Sequence, residues 1–393
     1  MVLAGVLLLQ ALTVATPAPR AAVGRALPSG FDAGTFDPVI AAGIRRGAYP
    51  GAALVIGRHD RVLYARGYGR LTWSRSSPSV APDSTVYDLA SLTKVVATTT
   101  ALMLLVERGK VRLDAPVATY MPEFAGAGTA SITVRELLAH TSGLRADLPD
   151  AELKAIPDGA TLLARVLTET PRYPPGTRVV YSDLNAILLG EIVRRVAGEP
   201  LAAFVTREVL APLGLAQSGF HPAATWRARI APTGVWRGHP VAGVVNDPSA
   251  AKLGGVAGNA GLFATATDVA RFAQFMLRQG TLVDGRRLVA AETVQLFTTP
   301  AANFGHKSEA RALGWQALPT GERVSSAGTA FGPRSYGHTG WTGTSLWIDP
   351  DRDLFVVLLT NRAFAPRARR SFTVLKEVRG QVADAAARAS DAP

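Results

Sequence analysis

The chain has 393 residues, 48% of them apolar and 18% charged, which describes a globular protein with a large core and excludes an intrinsically disordered one. It contains no cysteine, so disulfides, thiolate metal sites and cysteine catalysis are excluded. The net charge is +12, but the arginines are scattered and their densest cluster (Arg367, Arg369, Arg370) lacks interleaved aromatics; this reads as a compositional arginine bias with no nucleic-acid partner, while attraction to anionic cell-envelope polymers stays open.

Residues 1–35 form a first unit. Met1 to Ala15 is an apolar run of signal-peptide length ending in small residues, with Thr16-Pro17 behind it. A basic n-region is missing, since Arg20 is the first charge. A start further upstream, an uncleaved membrane anchor and a plain apolar leader are the alternatives to a signal peptide; export to the periplasm, the exterior or the membrane surface is the expectation. No later segment reaches ~18 uninterrupted apolar residues.

Asp37-Pro38 reads as the N-cap and first residue of a helix to about Arg46. Ala52–Gly57 and Arg61–Gly69 read as a hairpin turning at His59-Asp60, and residues 70–86 as polar loop. Leu92 to Arg108 is apolar on most faces and closed by Gly109, which predicts a buried helix. Thr133-Val-Arg-Glu136 is a capping box opening a helix to His140. Asp183–Ala197 reads as a helix, and Thr267 as the cap of another that runs to Gln279. Strand signals return at Ala312–Leu318 and in a hairpin of Thr344–Ile348 with Leu354–Thr360; Phe372–Arg388 closes the chain as a helix. Strands at both ends with helices between them predict an α+β fold: an antiparallel sheet built from the two ends, flanked by helices, with a mostly helical region inserted.

Three motifs carry chemistry. In Ser91-Leu-Thr-Lys94 the i, i+3 spacing lets the hydroxyl and the amine meet at a helix start, where unpaired N–H groups favour a developing alkoxide. A buried lysine can lose its proton by desolvation and act as a base. Taken alone Ser91 is as well explained as a helix cap, and Ser249-Ala-Ala-Lys252 also matches the pattern; only Ser91 opens a long buried helix. Tyr181-Ser-Asp183 stands at another helix start, where a phenol can shuttle a proton if a cation such as Lys94 lowers its pKa; Asp183 is equally explained as a cap. His338-Thr-Gly340 lies at the mouth of a C-terminal strand. Its glycine would admit substrate backbone, and the following Trp341 N–H could complete an oxyanion hole. No G-x-S-x-G elbow exists to place His140 in a Ser-His-Asp triad.

In this order the motifs resemble those of the serine β-lactamases and penicillin-binding proteins, where Ser-x-x-Lys, Tyr-x-Asn and Lys-Thr-Gly follow one another. The tyrosine form at these spacings looks like the class C β-lactamase group, with its D-Ala-D-Ala carboxypeptidases and family VIII carboxylesterases. Leu137–Gly143, Tyr173–Gly176, Ala257–Phe263 and Leu358–Asn361 extend the likeness over roughly residues 36–365. It implies a β-lactamase/DD-peptidase-like hydrolase domain over residues 36–390, with its helical subregion at about 91–310. It implies Ser91, Lys94 and Tyr181 as catalytic residues, and Asp183, His338, Thr339, Gly340 and Trp341 as substrate or oxyanion contacts. It also implies that the stretch holding His140 is a conformational turn and the residue structural. Neither a metal nor an organic cofactor is expected. Two positions depart from the pattern: Asp183 stands where the family has Asn, and His338 where β-lactamases have the Lys that helps hold a substrate carboxylate. An ester, a D-Ala-type or other peptidoglycan-like peptide and a β-lactam are all open as substrates. A slowly acylating or non-catalytic sensor of the same fold is the competing expectation, and oligomeric state is not legible.

Overall fold

The computed structural model describes residues 30–126, 128–302, 310–318, 325–365 and 368–392, with the side chains of 368–370 excluded. The apolar N-terminal run and the Arg367–Arg370 cluster therefore lie outside the described residues. Among the described residues no helix is long and apolar enough to cross a membrane.

Among the described residues eleven strands occur in chain order: β1 (Gly51–Gly57), β2 (Val62–Gly69), β3 (Val86–Asp88), β4 (Gly219–Phe220), β5 (Gly234–Trp236), β6 (His239–Val241), β7 (Leu262–Thr265), β8 (Gln316–Ala317), β9 (Tyr336–Thr339), β10 (Ser345–Asp349) and β11 (Leu354–Thr360). Six make one antiparallel sheet in the order β2-β1-β11-β10-β9-β8, so the first and last strands of the chain pair at its centre. The α+β fold expected from the sequence, with its sheet assembled from both ends, is the one observed. Three short strands, β3-β7-β4, form a second sheet that periodicity did not reveal, because two to four residues carry too little pattern.

The central strands are buried on both faces. One face (Ala53, Val55, Leu346, Val357, Leu359) meets the helical region through Leu92, Leu102, Phe272 and their neighbours. The other (Ala52, Leu54, Trp347, Val356, Leu358) is covered by the first and last helices through Phe36, Ile40, Leu375 and Val382. At about 1.5–3 kcal/mol for each fully buried large apolar side chain, this three-layer packing fixes the register of β1 against β11.

Several element boundaries differ from expectation for identifiable reasons. The first helix spans Ala33–Arg45 and so starts inside the unit expected over residues 1–35; Asp32 caps it by accepting from Thr35 N, while Asp37, the expected cap, is spent on Tyr64, Tyr68 and Arg66. Thr265, not Thr267, caps the Ala266–Leu277 helix. Ser182 caps Asp183–Ala197, which leaves Asp183 free for another task. The expected strand over Ala312–Leu318 is reduced to β8, and β9, expected as a turn into a strand, is a strand carrying His338. The capping box at Thr133 is present as expected. The buried helix after Ser91 starts as a π-helix over Lys94–Thr99 and continues as α over Thr100–Glu107. Thr100 Oγ1 bonds Val95 O at 2.9 Å, a side-chain substitute for the bonds that the wider turn displaces.

Candidate active site

The walls of the site begin with the segment ahead of Ser91. Asp88, buried at the end of β3, accepts the Ala90 N–H at 2.9 Å and the Asn246 N–H at 2.7 Å. This holds Ala90 in the left-handed region, at φ 47°, and turns Ser91 outward. Burial pushes the Asp88 carboxyl up to about 6. The next wall is the end of β9. A Cβ on Gly340 would lie 2.5 Å from Leu89 O and 3.2 Å from the Ala90 Cβ. The glycine therefore admits the Ser91-bearing segment, rather than substrate backbone as expected from the sequence. Thr342 Oγ1 and Thr344 Oγ1 tie the same junction to Asp88 O and Leu89 O.

Lys94 lies beneath Ser91, 3% exposed. Its Nζ donates to Ser91 Oγ at 2.9 Å and to Asn259 O at 3.0 Å, and it is 2.6 Å from Asp183 Oδ1. Burial pulls the ammonium down, but the Asp183 charge and Tyr181 outweigh it, so Lys94 is held above its ordinary value. The expectation of a desolvated lysine base is thereby reversed: Lys94 is a fixed cation, and the aspartate in the family's asparagine position is what fixes it.

Tyr181 has Lys94 Nζ 5.1 Å and the Arg311 guanidinium 5.0 Å from its ring centroid, and its hydroxyl interacts with both Lys94 and Ser91. Burial raises its pKa, Lys94 lowers it and Asp183 raises it, leaving it above the ordinary tyrosine value. His140, structural as expected, packs its ring 4.7 Å from that of Tyr181 while its Nδ1 accepts from Ser182 N. That bond leaves the proton on Nε2, and burial holds the imidazole well below its usual pKa.

His338 Nδ1 is 2.9 Å from Thr339 O, an atom that only accepts, so Nδ1 carries the proton. Burial, with Lys94 and Arg311 nearby, holds the ring's pKa well below its usual value. Nε2 is then an acceptor without a partner among the described residues, and the ring's one N–H is committed to the backbone.

Ser91, Tyr181, Asp183, His338, Thr339, Gly340 and Trp341 line a single cavity of about 620 Å³, with Lys94 just behind Ser91. Asp147, Asp150, Asp247, Arg311 and Phe372 are also among its lining. Among the described residues the Ser91 and Trp341 N–H groups donate to no protein acceptor, while Arg362 holds Trp341 O through two guanidinium nitrogens. Reading the sequence missed Asp88, Arg311 and the cavity aspartates. Asp88, two residues ahead of a strained alanine, left a short turn signal; Arg311 left none in a chain so rich in arginine.

Ser91, Lys94 and Tyr181 meet beside a sheet built from both chain ends, Lys94 buried and the other two partly exposed, in the arrangement that the motif resemblance implies. The chain belongs to the Beta-lactamase family, whose model matches residues 36–379. It is 35% identical over 358 residues to an Escherichia coli (strain K12) protein that bears the provisional name D-alanyl-D-alanine carboxypeptidase, covering 81% of this chain and 80% of that one. It is 34% identical over 350 residues to a Bacillus subtilis (strain 168) N-acetylmuramyl-L-alanine amidase, covering 81% of this chain and 78% of the relative. Among solved structures, EstCE1, a hydrolase with promiscuous acyltransferase activity, superposes with a TM-score of 0.71 at 23% identity over 89% of this chain and 98% of its own. The named relatives are hydrolases, and the family resemblance drawn from the motifs is therefore correct.

Proposed function

We propose that the protein is an exported serine hydrolase that cleaves an ester or amide (a short-chain ester, a D-Ala-type peptide or a β-lactam) through a covalent acyl-enzyme on Ser91. The observation that carries this is the contact set at one end of the cavity: Ser91 Oγ at 2.9 Å from a Lys94 ammonium that is itself locked to Asp183, with the Tyr181 hydroxyl interacting with both Ser91 and Lys94. In the minor fraction where Tyr181 is ionised, a form that Lys94 supports against burial, its oxygen takes the Ser91 proton as Oγ attacks the carbonyl carbon. The oxyanion is received by the Ser91 and Trp341 N–H groups. Tyr181 returns its proton to the leaving oxygen or nitrogen, and water then cleaves the acyl-enzyme by the reverse sequence. A substrate carboxylate meets Arg311 rather than His338. The hydrolase domain takes in the first helix with its cap Asp32 and the core residue Phe31, and the residues ahead of them are the segment that exports or anchors it. The names of the relatives support a peptidoglycan-like substrate.

The test is a panel of p-nitrophenyl butyrate, nitrocefin and a D-Ala-D-Ala peptide, with fluorophosphonate labelling, on wild type, Ser91→Ala and Ser249→Ala. The ester is expected to exceed nitrocefin in kcat/KM, and label to vanish only in Ser91→Ala. Labelling that survives in Ser91→Ala refutes the assignment, and labelling without turnover of any substrate favours a sensor.

A further inference from the structure

The cavity carries a charge opposite to that of the protein around it. In a chain with 42 Lys and Arg against 30 Asp and Glu, acids elsewhere are heavily engaged: Glu169 meets Arg145, Arg165 and Arg172, and Glu191 meets Arg194 and Arg195. Four aspartates line the catalytic cavity, and among the described residues only Asp183 is in an ion pair. Asp247 commits Oδ1 to Ala250 N and Asn259 Nδ2, and Asp147 commits Oδ1 to Leu148 N; neither Oδ2 has a partner among the described residues. The three aspartates Asp147, Asp183 and Asp247 lie close enough to feel one another, which raises the carboxyls of Asp147 and Asp247 beyond what burial alone does.

A second, independent feature points the same way. His338, 3% exposed and part of the cavity lining, has its donor bound to Thr339 O and leaves Nε2 as a buried acceptor without a partner. A carboxylate placed there would face a lone pair. A group rich in N–H donors would satisfy it.

We infer that the substrate of this site carries a primary ammonium within a few bonds of its scissile carbonyl, read by Asp147 and Asp247, with N–H donors also accepted by His338. The inference rests on the serine-hydrolase reading of the same cavity. Carboxylates left without ion-pair partners in a half-enclosed pocket are costly until a cation arrives, and a cationic ligand recovers that cost on binding. Arg311 does not cancel the effect. It brings one positive charge against four aspartates, and its guanidinium stands over the Tyr181 ring.

The experiment compares matched p-nitrophenyl esters that differ only in a terminal –NH3+ or –CH3: β-alanyl against butanoyl, and 6-aminohexanoyl against heptanoyl. Protection of Ser91 from a fluorophosphonate probe by pentylammonium against 1-pentanol reads binding without turnover. The expected result is at least a tenfold preference in kcat/KM for the ammonium member of one pair and stronger protection by pentylammonium. Both should weaken with added salt. In the Asp147→Asn/Asp247→Asn double variant, whose amide oxygens keep the cap and turn acceptors, the preference should fall at least fivefold. If neither pair favours the ammonium by more than threefold, or if the preference survives in the double variant, the inference is overturned. In either case probe on Ser91 shows that the serine-hydrolase reading stands; if Ser91 takes no probe and no ester is cleaved, that reading falls and the inference with it.

Discussion

Replacing Asp183 with Asn removes a charge while keeping the side chain's shape, and it restores the residue usual in the family at the point where this chain departs from it. The carboxylate is 2.6 Å from Lys94 Nζ, and Lys94 is nearly inaccessible to solvent. A contact pair of this kind at an effective dielectric near 20 is worth about 4 kcal/mol, or about three pKa units. Burial already pulls Lys94 down, so without its counter-ion the ammonium should titrate below the ordinary lysine value. Asp183 also raises Tyr181, so its removal should let the phenol ionise at lower pH. Both shifts move the window in which Tyr181 is ionised and Lys94 charged toward acid. In wild type kcat/KM for p-nitrophenyl butyrate should still rise or hold level at pH 10. In Asp183→Asn a falling alkaline limb should enter at about pH 8–10, with the ascending limb displaced to lower pH. Stopped assays over pH 6–10.5, corrected for spontaneous hydrolysis, resolve the two profiles. Superimposable profiles would refute the view that Asp183 sets the charge of Lys94.

Two further outcomes follow from the same geometry. Tyr181→Phe and Lys94→Ala should each lower kcat by on the order of 10²-fold or more, and the double variant should lose little beyond the worse single one, since both serve one proton transfer; near wild-type rates in Tyr181→Phe would reduce that residue to packing. Asp147 has its carboxyl raised to about 6, by burial first and by Asp183 next, so its contribution to stability is fully present below the unfolded-state value near 4 and is lost as pH climbs through 6. Asp147→Asn should therefore melt higher than wild type at pH 7.5 and alike at pH 4, by about 1 kcal/mol after allowing for its partial exposure to solvent, and equal melting at both values would contradict the shift.

The sheet was legible because its strands are long and bracketed by turn residues: β1, β2 and β11 announce themselves within a residue or so. The meeting of Ser91, Lys94 and Tyr181 was legible because helix periodicity places Lys94 one turn from Ser91, and because Tyr181 stands just ahead of a helix. What escaped was decided by partners distant in sequence. Nothing near Asp183 shows that Ser182 would take the cap and free the carboxylate for Lys94. Nothing near His338 shows that Thr339 O would claim its proton. Gly340 was rightly singled out, but the backbone it must clear comes from Leu89 and Ala90, some 250 residues earlier, and no local pattern encodes that approach. The π-helical start likewise depends on Thr100 reaching back to Val95 O, a choice that an apolar stripe leaves unspecified.

The pairing of β1 with β11 bears on when the molecule can first act during its own synthesis. Ala52 faces Thr360 across the centre of the sheet, so the strand that joins its two halves is made some 300 residues after β1. Until β11 arrives, β1 and β10 have no common neighbour, and the β9 wall with His338 and Gly340 is held against the Ser91 segment only through contacts such as those of Thr342 and Thr344. Contacts of such sequence separation close late and slowly. A nascent or truncated chain ending before Leu354 thus holds Ser91, Lys94, Tyr181 and His338 but lacks the strand that unites the sheet they stand against. On the proposed function, that ordering keeps Ser91 silent until β11 has been made.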